Sequence, residues 1–196
     1  MTTRRNLNIY SAILIFGLLA VFSVSAYAAE TYKLDPAHTS VVYRVKYSGV
    51  TFVYGRFNGP TGTFTYDESS PSKSSIEMQV DANNIDTAVE KRDNHLKSPD
   101  FFDAGEHPLV TFKSTSVKKI NSDTYQVTGN LTLLGKSRKL TVNAKQNGSG
   151  KDPWGNFGRG FETSFTIKRS DFGMNFMLGG ISDEVGLTVS VSGIRQ

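Results

Sequence analysis

The residues of this chain with the greatest capacity for chemistry are its three histidines, His38, His95 and His107. Three imidazoles can bind zinc and leave one coordination position open for a reaction. No two of them, however, have the close spacing of a metal motif such as H-x-H or H-E-x-x-H. The chain has no cysteine and no G-x-S-x-G element, so neither a thiolate nor an activated serine is indicated. A histidine-based metalloenzyme therefore stays an alternative, and we predict a protein without catalytic residues, metal or cofactor.

One histidine stands beside an arginine in a segment that has the features of a helix. Thr87 and Glu90 have the spacing of a capping box, and Pro99 is expected to end the helix. Arg92 and His95 are three residues apart and therefore lie on neighbouring positions of one helix face. The sequence thus predicts a short helix that presents a partly cationic face.

Arg92 and His95 could meet an anionic or polar head group, because a guanidinium forms paired bonds to phosphate or carboxylate oxygens. A structural role is the alternative, in which Arg92 forms an ion pair within the chain and ties the segment down. The partners available for that pair are Asp100, Asp103 and Glu106. The two roles could coexist, so we predict Arg92 and His95 as ligand-binding residues.

Around this helix, apolar and polar residues alternate in runs that are typical of strands with one buried face. Regular runs start near residues 41, 76, 125, 140, 161 and 185, and less regular runs cover 52–66 and 109–119. About eight antiparallel strands of this kind must close into a barrel or stack as a sandwich, and the pattern alone leaves both open. The helical segment interrupts them for about 25 residues, which is typical of a functional lid.

Large apolar residues also occur outside the regular strands. They follow the helix and crowd the loop 171–180, where they either plug the barrel ends as core or line a cavity. Because two separate clusters flank the strands, we predict that they contact an apolar ligand: Phe101, Phe102, Phe172, Phe176 and Met177. From the strands, we predict that five residues on the apolar sides point into the barrel: Phe112, Leu131, Leu133, Phe165 and Ile167.

The first 28 residues have the features of an export signal. Arg4 and Arg5 precede an apolar run that ends in Ala26-Tyr27-Ala28, so cleavage is expected after Ala28. An uncleaved membrane anchor and a twin-arginine export route are the alternatives. Residues 29–196 are then expected to form one domain, and removing the signal reduces the formal charge of +4 to about +2, which predicts no nucleic-acid partner.

Four motifs together resemble one known family. They are Asp35-Pro36-Ala37-His38-Thr39-Ser40, Gly55-Arg56-Phe57, the segment 92–103, and His107-Pro108. With them the chain is similar to the YceI family of periplasmic polyisoprenoid-binding proteins over essentially all residues after 30. The resemblance implies an all-β fold, an eight-stranded antiparallel lipocalin-like barrel with one short helix and a lid-like loop.

The same resemblance implies non-enzymatic binding of a long-chain isoprenoid lipid or isoprenoid quinone in the barrel interior, for transport, storage or sensing in the periplasm. An eight-stranded barrel is either just filled by side chains or has room for one ligand. Two alternatives therefore stay open beside the metalloenzyme: a fatty acid or fatty amide in the same pocket, and a structural or stress-response barrel without ligand. Transient membrane contact and a homodimer are further expectations.

Overall fold

A computed structural model describes residues 29–196 of the chain, so the predicted export signal over 1–28 and its cleavage site lie outside the described residues. Residues 29–196 form one α-helix, eleven strands and three short 3-10 turns. The elements are β1 (Glu30–Leu34), β2 (Ser40–Tyr47), β3 (Thr51–Phe57), β4 (Thr61–Tyr66), β5 (Ser75–Asp81), β6 (Ile85–Asp86), α1 (Glu90–Lys97), β7 (Leu109–Lys119), β8 (Thr124–Leu133), β9 (Lys136–Lys151), β10 (Phe157–Lys168) and β11 (Ile181–Arg195).

Eight of these strands close into an antiparallel barrel, which confirms the predicted fold. Their order around the barrel is β1-β4-β5-β7-β8-β9-β10-β11, and β11 returns to pair with β1. At this closure Tyr32 stands opposite Arg195 and Leu34 opposite Gly193. Because neighbouring side chains of a strand point to opposite faces, closure places every second side chain inside the barrel.

Strand β11 also carries a second set of strands along its first half. Its residues 181–190 pair with β2, which continues through β3 to the two-residue strand β6. The sheet is therefore longer on this side than the barrel closed by β1. This extension brings the β2–β3 hairpin and β6 next to α1 at one end of the barrel.

Helix α1 lies where the sequence predicts a helix and ends before Pro99, but the predicted capping box is wrong. The N-cap residue is Val89, which offers no side-chain bond. The carboxylate of Asp93 instead accepts bonds from the backbone N–H and the hydroxyl of Thr87. Ala88, between Thr87 and the N-cap Val89, has a left-handed φ of 61°. The chain therefore turns sharply before the helix starts. None of the helices in the described part of the chain is long and apolar enough to cross a bilayer.

The buried apolar residues form three clusters along the barrel. One fills the end closed by β1, where the ring of Tyr32 stacks on Phe64 with centroids 4.7 Å apart. A second lies between the β2–β3 hairpin, β5 and β6. The third lies under the segment that follows α1 and includes Phe101 and Phe172. Space is left between these clusters, and it forms the candidate site.

Candidate ligand-binding cavity

Two adjoining chambers run through the interior of the protein. The smaller has a volume of about 180 Å³ and lies inside the closed barrel. The larger has a volume of about 570 Å³ and lies under α1 and the β2–β3 hairpin. Both are lined by the same four apolar residues where they meet: Phe57, Val110, Leu131 and Leu187. The two chambers therefore adjoin at these four side chains, and we infer that they form one apolar passage from the larger chamber into the barrel.

The smaller chamber is lined by inward-facing residues of the barrel strands, and aromatic rings form its far end. The hydroxyls of Tyr66 and Tyr125 are hydrogen-bonded at 2.9 Å, and both rings pack against Phe161. Burial raises the pKa of Tyr66 to about 12, so its hydroxyl stays neutral. The wall of this chamber is thus mostly aromatic and aliphatic, which suits a hydrocarbon.

A buried cation closes the barrel behind these rings. The guanidinium carbon of Arg159 lies 3.8 Å from the centre of the Tyr66 ring, and its Nε donates to the hydroxyl of Tyr32 at 3.2 Å. Glu30 approaches the same guanidinium at 3.7 Å and also pairs with Arg195 at 2.8 Å. Cation–π contact and this carboxylate together compensate the buried charge. The inner end of the passage is therefore sealed.

The larger chamber opens to solvent at the other end. Its wall includes Tyr47 on β2, His95 on α1 and Met177 in the loop before β11. Each of these three side chains is about half exposed, so the cavity reaches the surface between the hairpin, the helix and this loop. We call this opening the mouth.

Arg92 and His95, the predicted head-group residues, both line the larger chamber but bond within the chain. Arg92 donates from Nε to the hydroxyl of Thr87 and from Nη2 to its carbonyl, both at 2.8 Å. The expected alternative, an ion pair with Asp100, Asp103 or Glu106, is therefore wrong. His95 is the residue that pairs with Asp100, at 2.8 Å, and its ring packs edge-on against Phe101 and Phe176.

A second arginine, which the sequence did not predict, lines the larger chamber from below. Arg169 is almost fully buried and donates from Nε, Nη1 and Nη2 to the carbonyls of Ser182, Met174 and Ile181, each at 3.0 Å. Burial lowers the pKa of this guanidinium, and nearby Asp183 opposes that shift. Arg169, which directly follows β10, therefore holds the loop before β11 and the first two residues of β11 in place.

Tyr43 contributes an unusual polar group to the same chamber. Its ring lies over Gly55 of β3, where a Cβ atom would come within 2.4 Å of the ring. The hydroxyl is buried and has no hydrogen-bond partner in the described part of the protein. Burial raises the pKa of Tyr43, so the hydroxyl is neutral. A buried hydroxyl without a partner is destabilising.

Ten of the twelve predicted ligand-binding residues line one of the chambers. Phe112 and Phe165 line the smaller one, and Leu131 lines both. The larger one is lined by Arg92, His95, Phe101, Phe102, Leu133, Ile167 and Met177. Phe172 and Phe176 line neither chamber. Phe172 is buried behind Phe101 and Leu133, and Phe176 packs on Phe101 and His95.

Sequence reasoning missed much of the aromatic wall. Tyr125 and Phe161 stand on the apolar sides of their runs, so alternation alone could have identified them. Phe64 lies in a run whose alternation is less regular, and Arg169 follows a strand in a polar stretch that gives no sign of burial. Further wall residues without a prediction are Tyr43, Phe57, Tyr66, Met78, Val142 and Val189.

The histidines do not assemble a metal centre in residues 29–196, where no group of three or more metal-ligating side chains lies close enough to hold an ion. His38 pairs with Asp35 at 2.6 Å, and His95 pairs with Asp100. Both imidazoles therefore have a carboxylate partner of their own.

Comparisons with known proteins agree with this geometry. The family model described as YceI-like domain matches residues 32–193. A UPF0312 protein of Pseudomonas paraeruginosa is 44% identical over 179 residues, which cover 90% of this chain and 93% of that protein. The crystal structure of Burkholderia cenocepacia BcnA superposes with a TM-score of 0.73 at 24% identity, over 81% of this chain and 98% of that one.

A more distant solved structure shares the fold as well. It is a polyisoprenoid binding domain from Saccharophagus degradans, implicated in plant cell wall breakdown. Its TM-score is 0.64 at 13% identity, and the match covers 84% of this chain and 98% of that one.

Proposed function

Because the chain belongs to the YceI family, we propose that it binds a long-chain isoprenoid lipid or isoprenoid quinone inside the barrel, without making or breaking bonds. The observation that carries this proposal is the passage formed by the two adjoining apolar chambers. It is open at the mouth and sealed at the far end by the cluster around Arg159. An export signal over residues 1–28 would deliver this carrier to the periplasm, as the sequence predicts.

The cavity sets the length of tail that fits. A methylene group takes about the space of a water molecule, about 30 Å³, so the two chambers together hold roughly 25 such groups. A tail of five isoprene units fills them, and a longer tail leaves its first units in the mouth. Burying about 25 groups gains about 20 kcal/mol before costs, which equals the practical ceiling of non-covalent affinity. Because ordering the chain offsets much of this gain, the carrier can release its cargo.

We place the polar end of the ligand at the mouth, near Arg92 and His95. Both residues line the larger chamber on the side of α1. Arg92 uses two of its five N–H groups to hold Thr87, and the others are available to an anionic or carbonyl oxygen. The tail would then point inward past Leu131.

The test is to identify what the protein carries. Protein purified without detergent is denatured, and its organic extract is analysed by mass spectrometry. An isoprenoid at near-equal molar amount supports the proposal, whereas a fatty acid or fatty amide replaces it with the alternative ligand class. If the extract is empty, the protein is titrated with a twenty-five-carbon prenol, and failure to bind would refute the proposal.

The head-group assignment is tested with Arg92→Ala and two ligands of equal tail length. A bond from a charged donor contributes about 1.5 to 3 kcal/mol, so binding of a polyprenyl phosphate should weaken at least about tenfold. An uncharged quinone should lose less. Arg92→Lys serves as the control because it keeps the charge but not the two-point bond to Thr87. Equal losses for both ligands would remove Arg92 from the head-group site.

A further inference from the structure

The mouth of the larger chamber is surrounded by exposed apolar side chains. On the β2–β3 hairpin, Tyr47, Val50 and Phe52 are 47%, 84% and 45% exposed. On the facing loop, Met177 and Leu178 are 48% and 41% exposed. We call these five residues the apolar rim. The backbone N–H of Ser48 donates to the carbonyl of Gly180 at 2.7 Å, so hairpin and loop form one surface.

The hairpin that carries most of the apolar rim is cationic. Residues 36–66 contain no aspartate or glutamate. Arg44 and Lys46 lie on β2 beside the rim, and neither forms an ion pair within residues 29–196. The guanidinium of Arg44 lies 4.7 Å above the ring of Phe52. On the neighbouring strand, Glu184 stands opposite Lys168, and within residues 29–196 it forms no ion pair with Arg44 or Lys46.

From these observations we propose that the apolar rim inserts into the surface of an anionic lipid bilayer and seats the mouth of the larger chamber on the membrane. Aromatic and aliphatic side chains at the end of a hairpin gain free energy when they enter the interfacial region of a bilayer. The adjacent cations are attracted to anionic lipid head groups. The apolar rim thus suits the interfacial region of a bilayer, and Arg44 and Lys46 suit its anionic head groups.

This inference deepens the proposed function and rests on it for the cargo. Tyr47 and Met177 belong both to the apolar rim and to the wall of the larger chamber. A tail that leaves the bilayer at the rim therefore enters the cavity without crossing water. Exposure of the tail to water is the main barrier to moving such a lipid out of a bilayer, because each methylene-sized group that enters water costs free energy.

A second copy of the chain fits the same surface less well. A two-fold dimer brings the same patch of both subunits together. Arg44 and Lys46 of one subunit would then lie close to those of the other, with no acidic residue on either hairpin to compensate them. Like charges in an interface oppose association. An anionic bilayer provides the opposite charge.

The chain carries its own control for the experiment, because Trp154 is its single tryptophan. Trp154 is 82% exposed in the turn between β9 and β10. The loop of the apolar rim follows the other end of β10, whose twelve residues separate the two sites by about 40 Å. A tryptophan at the rim is introduced as Val50→Trp in a Trp154→Phe background. The two proteins then report from opposite ends of the barrel.

Each protein is mixed with vesicles of phosphatidylglycerol and phosphatidylcholine that contain brominated acyl chains and no isoprenoid. We expect the tryptophan of the Val50→Trp variant to shift to the blue and to be quenched at least threefold more than Trp154 of the unsubstituted protein. Equal quenching at both positions would overturn the proposal. So would a blue shift that depends on protein concentration and occurs without vesicles, because it indicates self-association.

Co-sedimentation with the same vesicles tests the two components of the surface. Val50→Asp should weaken binding at least tenfold, and the double variant Arg44→Gln with Lys46→Gln should lose the dependence on phosphatidylglycerol. Ile120→Asp is the matched control, because Ile120 is 51% exposed and lies after β7, away from the mouth. Vesicle binding of this variant should not change. Unchanged sedimentation of Val50→Asp refutes the inference. Because no isoprenoid is present, vesicle binding is decided separately from the identity of the cargo.

Discussion

The smaller chamber can be filled from inside the barrel by one substitution, Ala144→Phe, without altering the mouth. Ala144 lies on β9 opposite Tyr125 and faces the smaller chamber. Its side chain takes no part in the larger chamber, where the tail enters. The substitution should therefore shorten the cavity from its inner end and change the length of tail that the protein accepts.

The expected magnitude follows from the two volumes. The smaller chamber, about 180 Å³, holds roughly six methylene-sized groups, and a phenyl ring adds six carbon atoms. Each excluded group of the tail forfeits about 0.8 kcal/mol, so the gross loss approaches about 5 kcal/mol. Part of this loss of binding free energy is offset, because less of the tail has to be ordered on binding. We therefore expect a net loss of about 2 to 3 kcal/mol, or about 30- to 150-fold in affinity.

The assay compares prenols of two lengths. A fifteen-carbon prenol fits in the larger chamber, about 570 Å³, which holds roughly nineteen such groups. Its affinity should stay within about threefold of the unsubstituted protein, whereas a twenty-five-carbon prenol should lose the full amount. Asn143→Phe is the matched control, because Asn143 is the neighbouring exposed residue of the same strand. Equal loss of both prenols, or of neither, would refute the assignment of the smaller chamber to the end of the tail.

Four further substitutions test polar groups of the interior and of the barrel closure. Tyr43→Phe should raise the free energy of unfolding by about 1 kcal/mol, because it removes a buried hydroxyl without a partner. Tyr66→Phe should lower it by a similar amount, because it removes the hydrogen bond to Tyr125. Urea unfolding followed by circular dichroism measures both, and destabilisation by Tyr43→Phe would contradict the geometry. Arg169→Met leaves one buried and two partly buried carbonyls without their donor and should cost about 3 to 5 kcal/mol in the same measurement. A loss under about 1 kcal/mol would contradict this account. The pKa of Glu30 is held below its ordinary value of 4.5, chiefly by the hydrogen bond from Tyr32, so its contribution is complete above that pH and is lost as the pH falls through the folded-state pKa. Glu30→Gln should therefore melt at a lower temperature at pH 7, and the difference should shrink as the pH is lowered below 4.5; a difference that is the same at every pH would count against the carboxylate.

Alternation along the sequence predicts most of the barrel because the direction of a side chain in a strand is a property of the backbone. Leu131, Phe112 and Phe165 line the cavity for this reason. The short strands β1 and β6 were not predicted, since five and two residues are too few to show a period. Their strand conformation depends on pairing with distant parts of the chain.

The polar residues of the site could not be derived from the sequence, because their partners come from tertiary structure. The Thr87–Glu90 spacing is that of a capping box, yet Asp93 competes for Thr87 and leaves Val89 as the N-cap. Arg169 is buried because the loop before β11 and the first residues of β11 fold over it and present three carbonyls to it. Neither the bonds between Asp93 and Thr87 nor the burial of Arg169 can be predicted from a local sequence pattern.

Strand β11 sets the order in which this barrel can be completed. It follows every other strand in the chain, and it pairs with β10, with β2 and with β1. Until β11 has been synthesised, β10, β1 and β2 each have an unpaired edge, and the early hairpins can pair only among themselves. The barrel therefore cannot close, and the hairpin of β2 and β3 cannot join it, until this last strand is available for pairing.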